Sequence, residues 1–230
     1  MSLSDWHPPS PPPRTVYRGR YARLEPLSRD HIHGLREAHA EDDGTMWAYL
    51  LDGPFDDTGY SAWVDRARGL HDPMHFAVRM EDGRLGGTLS LMRINPGAGS
   101  IEVGYISFAP CIQRTRSATD AVYQTMKWAF ENGYRRFEWK CHGENLRSRR
   151  AAERFGISFE GVFRQAAVAK GRNRDTAWFA AIDSEWPALE TAFETWLDPA
   201  NFDAEGQQRQ RLADLTAPIL VARDLALLSP

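Results

Sequence analysis

A strand, a short basic turn and an amphipathic helix follow one another in residues 100–130, and the rest of the chain has to be arranged around this unit. In residues 100–108, β-branched and aromatic residues alternate with others, which is typical of a mostly buried strand. Pro110 ends the strand pattern. From Ala118 to Phe130, apolar residues recur every three or four positions, as on a helix that packs against a sheet. The unit therefore predicts an α/β fold.

The turn before this helix carries Arg114, Thr115, Arg116 and Ser117. A helix N-terminus has unpaired backbone N–H groups and the positive end of the helix dipole, so it can hold a phosphate or a diphosphate. Polar turn residues also serve only to cap helices. The turn by itself leaves anion binding and simple capping equally open.

Composition excludes several classes of protein. The chain has 230 residues with 42% hydrophobic content, enough for one sizeable core, and a net charge of -3. Because nucleic acids and membrane surfaces select basic proteins, we expect neither as a partner. The two cysteines, Cys111 and Cys141, lack zinc-site spacing, so we expect no metal site and a reducing, cytoplasmic environment. No apolar run is long enough to predict a membrane span.

Three segments are expected along the chain. Residues 1–15 contain five prolines and predict an extended N-terminal arm. Residues 16–182 predict the α/β domain, in the order strand, two helices, three strands, long helix, strand, short helix and two strands. Residues 183–230 predict a C-terminal helical extension that docks on the domain or contributes to a homodimer. The strands are predicted at 21–27, 75–80, 85–94, 100–108, 137–141, 159–167 and 175–182.

This order of elements resembles the GNAT superfamily of acetyl-CoA-dependent N-acetyltransferases. Three local matches resemble the branch that acetylates the N-termini of ribosomal proteins, the Rim-type enzymes. They are the strand Glu102-Val103-Gly104-Tyr105, the helix Asn145-x-x-Ser148 with its Gly156-Ile157 turn, and the hairpin Glu160-Gly161-Val162-Phe163-Arg164 with Asp175 downstream. The resemblance implies a mixed, mostly antiparallel sheet of about seven strands. It also implies that the fourth strand (100–108) and the fifth (137–141) splay apart, with acetyl-CoA bound in the gap.

The diphosphate loop departs from the family pattern Gln/Arg-x-x-Gly-x-Gly/Ala. In the literal register, Gln113 to Ala118, Arg116 stands where the first glycine belongs. With one inserted residue, Arg114 and Arg116 occupy both glycine positions. Glycine lets a backbone close on phosphate oxygens, so we expect either a negative φ at these arginines or a shifted loop path.

The resemblance assigns roles to the remaining cofactor-site and catalytic residues. Free backbone groups at Ile106, Ser107 and Phe108 are expected to bond the pantetheine arm. The diphosphate is expected to lie on the loop residues Gln113, Arg114, Thr115, Arg116, Ser117 and Ala118. Asn145 is expected to hydrogen-bond the same arm, although capping the next helix explains it equally well.

Glu102 is the candidate general base, because a carboxylate partly withdrawn from water has its pKa raised toward working pH. Its alternative roles are a surface strand residue or the partner of an arginine. Ser148 matches the family acid that protonates the departing thiolate, and otherwise is an ordinary first-turn serine. Tyr105 and Tyr134 are the other candidate proton donors.

The acceptor side is less defined. Trp47 and Tyr49 are candidates for the walls of an acceptor pocket, although aromatic residues more often belong to a core. Asp175 is the candidate substrate contact in the last hairpin. A group of three arginines, Arg147, Arg149 and Arg150, is expected to solvate a helix face, with the 3'-phosphate of CoA as the alternative.

The resemblance thus implies N-acetylation of a primary amine, either a protein N-terminus or a small-molecule amine. A catalytically silent GNAT-fold module that binds a ligand or a partner is the alternative, suggested by the missing glycines. A phosphate or nucleic-acid binder that uses the arginines is the third interpretation.

Overall fold

One sheet of eight strands organises the chain in the computed structural model, which describes residues 3–228. Its spatial order is β1-β2-β3-β4-β5-β6-β8-β7, and every neighbouring pair is antiparallel except β5 and β6. The strands are β1 (Tyr17–Arg18), β2 (Ala22–Pro26), β3 (Met74–Met80), β4 (Leu85–Asn95), β5 (Ser100–Phe108), β6 (Arg136–His142), β7 (Ser158–Ala169) and β8 (Arg172–Ile182). The mixed, mostly antiparallel sheet is confirmed, and the two-residue β1 is the strand that the sequence did not predict.

Helices cover both faces of this sheet. They are α1 (Ile32–His39), α2 (Asp57–Ala67), α3 (Arg116–Glu131), α4 (Leu146–Arg154), α5 (Trp186–Leu197) and α6 (Leu212–Thr216). Ala121, Val122 and Met126 of α3 are fully buried in the larger core cluster, as their helical spacing predicts. Leu35 of α1 and Val64 of α2 belong to a second cluster on the opposite face. The face of α1 and α2 is called the α1–α2 face below, and the other is called the α3–α4 face.

A bulge in β5 opens the sheet. Ser107 pairs with Thr88 and Gly104 pairs with Ser90, so two residues of β5, Tyr105 and Ile106, lie opposite a single residue of β4. Tyr105 has a φ of 47°. A bulge of this kind bends its strand and increases its twist. The parallel pairing of β5 with β6 accordingly ends at Val103 and Trp139, and the predicted splay between these strands is confirmed.

The segments outside the sheet lie against it. Trp6 donates a hydrogen bond from Nε1 to the Gly133 carbonyl, 3.3 Å away, and Pro9 and Pro12 are buried. At the other end, the Phe159 amide donates to the Ala222 carbonyl at 3.3 Å, so the chain after α6 follows β7. Among residues 3–228, no helix combines the length and the apolar character that crossing a membrane requires.

Candidate active site

The splayed ends of β5 and β6 border a cleft with a volume of about 160 Å³. Because side chains alternate along a strand, Glu102 and Lys140 point to the α1–α2 face, whereas Val103 and Trp139 point to the α3–α4 face. Residues of both faces line the cleft, which therefore passes through the sheet. A larger, more open cavity of about 660 Å³ lies beside α1 and α2, away from the splayed strands.

Glu102 sits in a buried charge cluster at this cleft. The parallel register places it beside Glu138, and the Lys140 ammonium lies between the two carboxylates. Lys140 Nζ is 2.9 Å from Glu102 Oε2 and 2.6 Å from Glu138 Oε2. Glu102 is only 4% exposed, and this burial raises its pKa, although the ammonium acts in the opposite direction. A carboxylate with a raised pKa at the edge of a cleft is suited to accept a proton.

Asn145 and Ser148 lie at the start of α4, on the far side of β6. Asn145 is the N-cap residue, and its Oδ1 accepts a hydrogen bond from the Ser148 amide at 3.1 Å. Trp139 Nε1 donates to Ser148 Oγ at 2.9 Å. Since that bond fills an acceptor position of the hydroxyl, the Ser148 proton can be donated either to the Cys141 sulfur or to another group in the cleft. Both side chains line the cleft.

The other candidate groups differ in their positions. Tyr105 lines the cleft, and burial raises the pKa of its phenol. Tyr134 is buried elsewhere, where its hydroxyl donates to the Ser10 carbonyl at 3.2 Å. Cys141 also lines the cleft, but burial raises the pKa of its thiol to about 11. At neutral pH Cys141 is therefore a thiol, which is a poor nucleophile.

The turn before α3 has the backbone of an anion site. Thr115 is the N-cap residue, and its Oγ1 accepts a hydrogen bond from the Ala118 amide at 3.2 Å. Within residues 3–228, the amides of Arg114, Arg116 and Ser117 find no hydrogen-bond acceptor. Three unpaired N–H groups at the positive end of a sixteen-residue helix fit a diphosphate.

The backbone of this turn is left-handed at one of its two arginines. Arg114 itself adopts a φ of 65°, so the expectation of a negative φ at this position is wrong and the shifted loop path, the other expectation, stays a prediction. Hydrogen bonds on both sides hold the turn, from Gln113 Nε2 to the Phe108 carbonyl at 2.8 Å and from the Thr115 amide to the Ile112 carbonyl at 3.2 Å. A left-handed residue of this type costs about 1–3 kcal/mol, which these bonds offset.

Arg116 points to another part of the surface. Its Nε and Nη2 bind the two carboxylate oxygens of Glu81 at 2.7 and 2.8 Å, and its guanidinium lies 4.5 Å from the centre of the Tyr21 ring. The guanidinium of Arg116 is therefore paired with Glu81. Arg114 is exposed and adjoins the unpaired amides of the turn. The residues present at this turn fit the diphosphate of coenzyme A.

Replacing Thr115 by alanine should lower the free energy of unfolding by about 1 kcal/mol, because the Ala118 amide loses its acceptor. Urea unfolding measures this change. Thr191 is an exposed threonine inside α5 that caps no helix. Thr191→Ala is the control, and an equal loss of stability in both variants would contradict the capping role of Thr115.

The remaining predicted site residues are distributed unevenly around the cleft. Tyr49 lines it, with its ring 5.1 Å from that of His142. Trp47 does not; it packs in the second core cluster, with its ring 5.3 Å from that of His39. Asp175 is also outside the lining, because its Oδ1 accepts hydrogen bonds from the Gln165 amide and Asn173 Nδ2.

Of the three β5 residues predicted to bond pantetheine, one lines the cleft and two have other hydrogen-bond partners. Ile106 lines the cleft. Ser107 is held from the other side, with Oγ 2.7 Å from Thr88 Oγ1 and its carbonyl 3.1 Å from His39 Nε2. The Phe108 carbonyl is already occupied by the side chain of Gln113.

Sequence reasoning missed two charged residues that line the cleft. Lys140 and Arg174 line the cleft, and the polar alternation of Glu138, Lys140 and His142 along β6 was the signal available for the first of them. The expectation that Arg149 solvates a helix face is wrong. Its guanidinium is buried and binds Asp224 through Nε at 2.5 Å and Nη2 at 2.6 Å.

Comparison with known proteins agrees with this geometry. A family model described as an acetyltransferase (GNAT) domain matches residues 22–158. The crystal structure of a GCN5-related N-acetyltransferase from Brucella melitensis is 46% identical, with a TM-score of 0.91, and the match covers 94% of this chain and 100% of that chain. A probable acetyltransferase from Chromobacterium violaceum is 39% identical, with a TM-score of 0.76 and coverage of 82% and 96%.

A more distant match has the same fold. It is RimL, a ribosomal L7/L12 alpha-N-protein acetyltransferase in complex with coenzyme A, 20% identical, with a TM-score of 0.63 and coverage of 74% and 99%. A comparison with curated proteins finds no match. GNAT enzymes use acetyl-CoA as their acetyl donor. The domain match spans more than half of the sequence, and the chain belongs to the GNAT family of acetyltransferases.

Proposed function

We propose that this protein transfers the acetyl group of acetyl-CoA to a primary amine, with Glu102 as the general base and Ser148 as the general acid. The observation that carries the proposal is the cleft through the sheet. Glu102 lies on its α1–α2 side, and Asn145 and Ser148 lie at the start of α4. A base and an acid on opposite sides of one narrow cleft match the two proton transfers of amine acetylation. We assign this activity to residues 16–182, flanked by the arm 1–15 and the extension 183–230.

The base has to remove the proton that the amine loses as its nitrogen bonds to the acetyl carbon. Burial raises the pKa of Glu102, and the Lys140 ammonium, 2.9 Å away, opposes part of that shift. A carboxylate with a raised pKa is more basic than one in water, which suits it to accept the proton directly or through one water.

The acid has to protonate the leaving sulfur. When bound, acetyl-CoA supplies a thioester whose carbonyl carbon is attacked and whose sulfur departs. Ser148 accepts a hydrogen bond from Trp139, which turns its own proton away from the indole and leaves it available to a sulfur in the cleft. Asn145 uses its Oδ1 as the cap of α4, and its amide N–H groups face no acceptor in the described chain, so they are available to the pantetheine arm.

The acceptor amine enters from the α1–α2 face, where Tyr49 and Leu50 line the cleft. A volume of about 160 Å³ is below the roughly 300–1,000 Å³ of sites that enclose a whole drug-sized ligand. The cleft therefore suits the end of an acceptor, either a peptide N-terminus or a small amine. RimL acts on the N-terminus of a ribosomal protein, which supports the peptide as one candidate.

Acetyl-CoA binding and thiol release test the proposal separately. In calorimetry we expect acetyl-CoA to bind with a dissociation constant on the order of micromolar. With a panel of peptides and small primary amines, we expect CoA thiol release that requires the amine and an acetylated product detected by mass spectrometry.

A catalytically silent binding module would give a different result in these two measurements. The arginines at the glycine positions favour a module that binds a ligand without catalysis. Acetyl-CoA binding with no amine-dependent thiol release across the panel supports that module and contradicts the transferase.

A further inference from the structure

Arg174 is a cation of the cleft that the proposed mechanism does not use. It lies near the start of β8, is half-buried and lines the cleft together with Glu102, Lys140 and His142. Its Nε is shielded from solvent and has no hydrogen-bond partner in the described part of the chain. A guanidinium that lines a cleft and has no acceptor within the protein is available to an anionic group of a ligand.

The other charges near the cleft are already paired. Lys140 is held between Glu102 and Glu138, and Arg136 binds Glu160. Arg93 Nε lies 3.5 Å from Glu102. By contrast, no carboxylate among residues 3–228 lies within 4.0 Å of the Arg174 guanidinium nitrogens. The charged groups that line the cleft therefore carry one positive charge in excess, and Arg174 is its source.

The pairing register of β8 with β6 shows on which face of the sheet Arg174 lies. On β8, Trp178 pairs with Lys140 and Thr176 pairs with His142. Arg174 is two residues from Thr176 and hence on the same face, the α1–α2 face. The turn before α3 and the helix α4 lie on the opposite face or at its edge. Arg174 thus faces the route of the acceptor rather than that of coenzyme A.

His142 supplies a second hydrogen-bond donor beside Arg174. The His142 ring lines the cleft, and its Nδ1 accepts a hydrogen bond from the Glu144 amide at 3.1 Å. In the neutral ring the proton is therefore on Nε2, which makes this nitrogen a donor. The described residues thus offer a guanidinium and an imidazole N–H beside the carboxylate base.

We propose that the acceptor is a primary amine that carries an anionic group, a carboxylate or a phosphate, a few bonds from its nitrogen, and that Arg174 binds this group. This inference rests on the proposed function, because it names the class of acceptor for the same cleft. The planar fork of arginine matches carboxylate and phosphate oxygens in a two-point contact. Such a contact fixes the amine in front of Glu102, and the excess positive charge disfavours polyamines.

Matched pairs of acceptors test the proposal. The pairs are 4-aminobutyrate and its amide, 2-aminoethyl phosphate and ethanolamine, and two peptides that begin with aspartate or asparagine and are otherwise identical. For at least one pair we expect the anionic member to have a kcat/KM about 10- to 100-fold higher with the wild-type protein, which corresponds to one charge-assisted hydrogen-bonded contact. The first two pairs distinguish a carboxylate from a phosphate, and the third tests a protein N-terminus.

Variants then assign the preference to one side chain. Arg174→Gln should lower kcat/KM for the anionic member to that of its neutral partner and leave the neutral partner unchanged. Arg174→Lys should retain part of the preference, because it keeps the charge but not the fork. Arg172 is an exposed arginine on the same strand, outside the cleft lining. Arg172→Gln is the matched control and should change neither value.

Calorimetry with the same amines in the presence of CoA, which has no acetyl group to transfer, separates this inference from the proposed function. Binding of an anionic amine that is lost in Arg174→Gln, without thiol release from acetyl-CoA, would leave the anion site standing and overturn the transferase. If no anionic amine binds the wild-type protein, or if Arg174→Gln weakens both members of each pair equally, the anion site is overturned even where amines are acetylated.

Discussion

Replacing Glu102 by glutamine is expected to lower kcat for amine-dependent thiol release by about 100- to 10,000-fold, the range that a positioned general base contributes. The substitution keeps the size and hydrogen-bonding capacity of the side chain but removes its ability to take a proton. Since Glu102 points to the α1–α2 face, away from the turn before α3, acetyl-CoA affinity should stay within about twofold. Steady-state kinetics and calorimetry on the same preparation measure the two quantities.

The turnover rate should also depend on pH in a defined direction. A general base works when deprotonated, so the wild-type rate should fall as the pH drops through the raised pKa of Glu102. Repulsion from Glu138 contributes to that raised pKa, and Glu138→Gln removes it. Glu138→Gln is thus a matched control that should keep most of the activity at neutral pH. In its pH–rate profile, the fall in rate on the acidic side should occur at a lower pH than in the wild-type protein. Unchanged turnover in Glu102→Gln would reject the base assignment.

Local patterns were sufficient to predict the elements that build the cleft. The alternation along β5 and the helical spacing of α3 depend on neighbours within one or two turns, and both elements lie where the sequence predicts them. The two-residue β1 has no such pattern, because a pair of residues cannot show a period. It forms only through its pairing with β2.

The site itself was predictable only in part, because cross-strand register decides which side chains meet. Glu102 and Ser148 were found through short motifs, and both line the cleft. The pairing of Lys140 with Glu102 requires β6 to lie parallel to β5, and the place of Arg174 requires the register of β8 on β6. Trp47 and Tyr49 are two residues apart and look alike in sequence, yet one is in a core and the other faces the cleft.

The burial of Arg149 could not be predicted from its neighbours in the sequence either. Within α4 it lies between exposed arginines, and its partner Asp224 is 75 residues further along the chain. Asp224 binds its guanidinium through both carboxylate oxygens, and Arg149 Nη1 also donates to the Gly143 carbonyl at 2.6 Å. This pair therefore ties the C-terminal segment to the start of the helix that carries Ser148.

Asp224→Ala is expected to lower the free energy of unfolding by about 3–5 kcal/mol, because it leaves the Arg149 guanidinium buried without a counter-charge. The side chains of the pair are only 8% and 1% exposed, so water cannot replace the lost carboxylate at low cost. Urea unfolding followed by circular dichroism measures the change. Asp214 offers a matched control, since it forms a 3.9 Å ion pair with Arg211 in which both side chains are more than 60% exposed.

Asp214→Ala should change the free energy of unfolding by less than about 0.5 kcal/mol, as for most exposed ion pairs. A double variant, Arg149→Met with Asp224→Leu, should regain much of the stability that Asp224→Ala loses, because no unpaired charge then remains in the interior. If Asp224→Ala were no more destabilising than Asp214→Ala, the buried pair would not hold the C-terminal segment on α4. A selective loss of kcat in the refolded double variant would instead indicate that the pair also positions Ser148, since the apolar replacement restores packing but not the hydrogen bond to the Gly143 carbonyl.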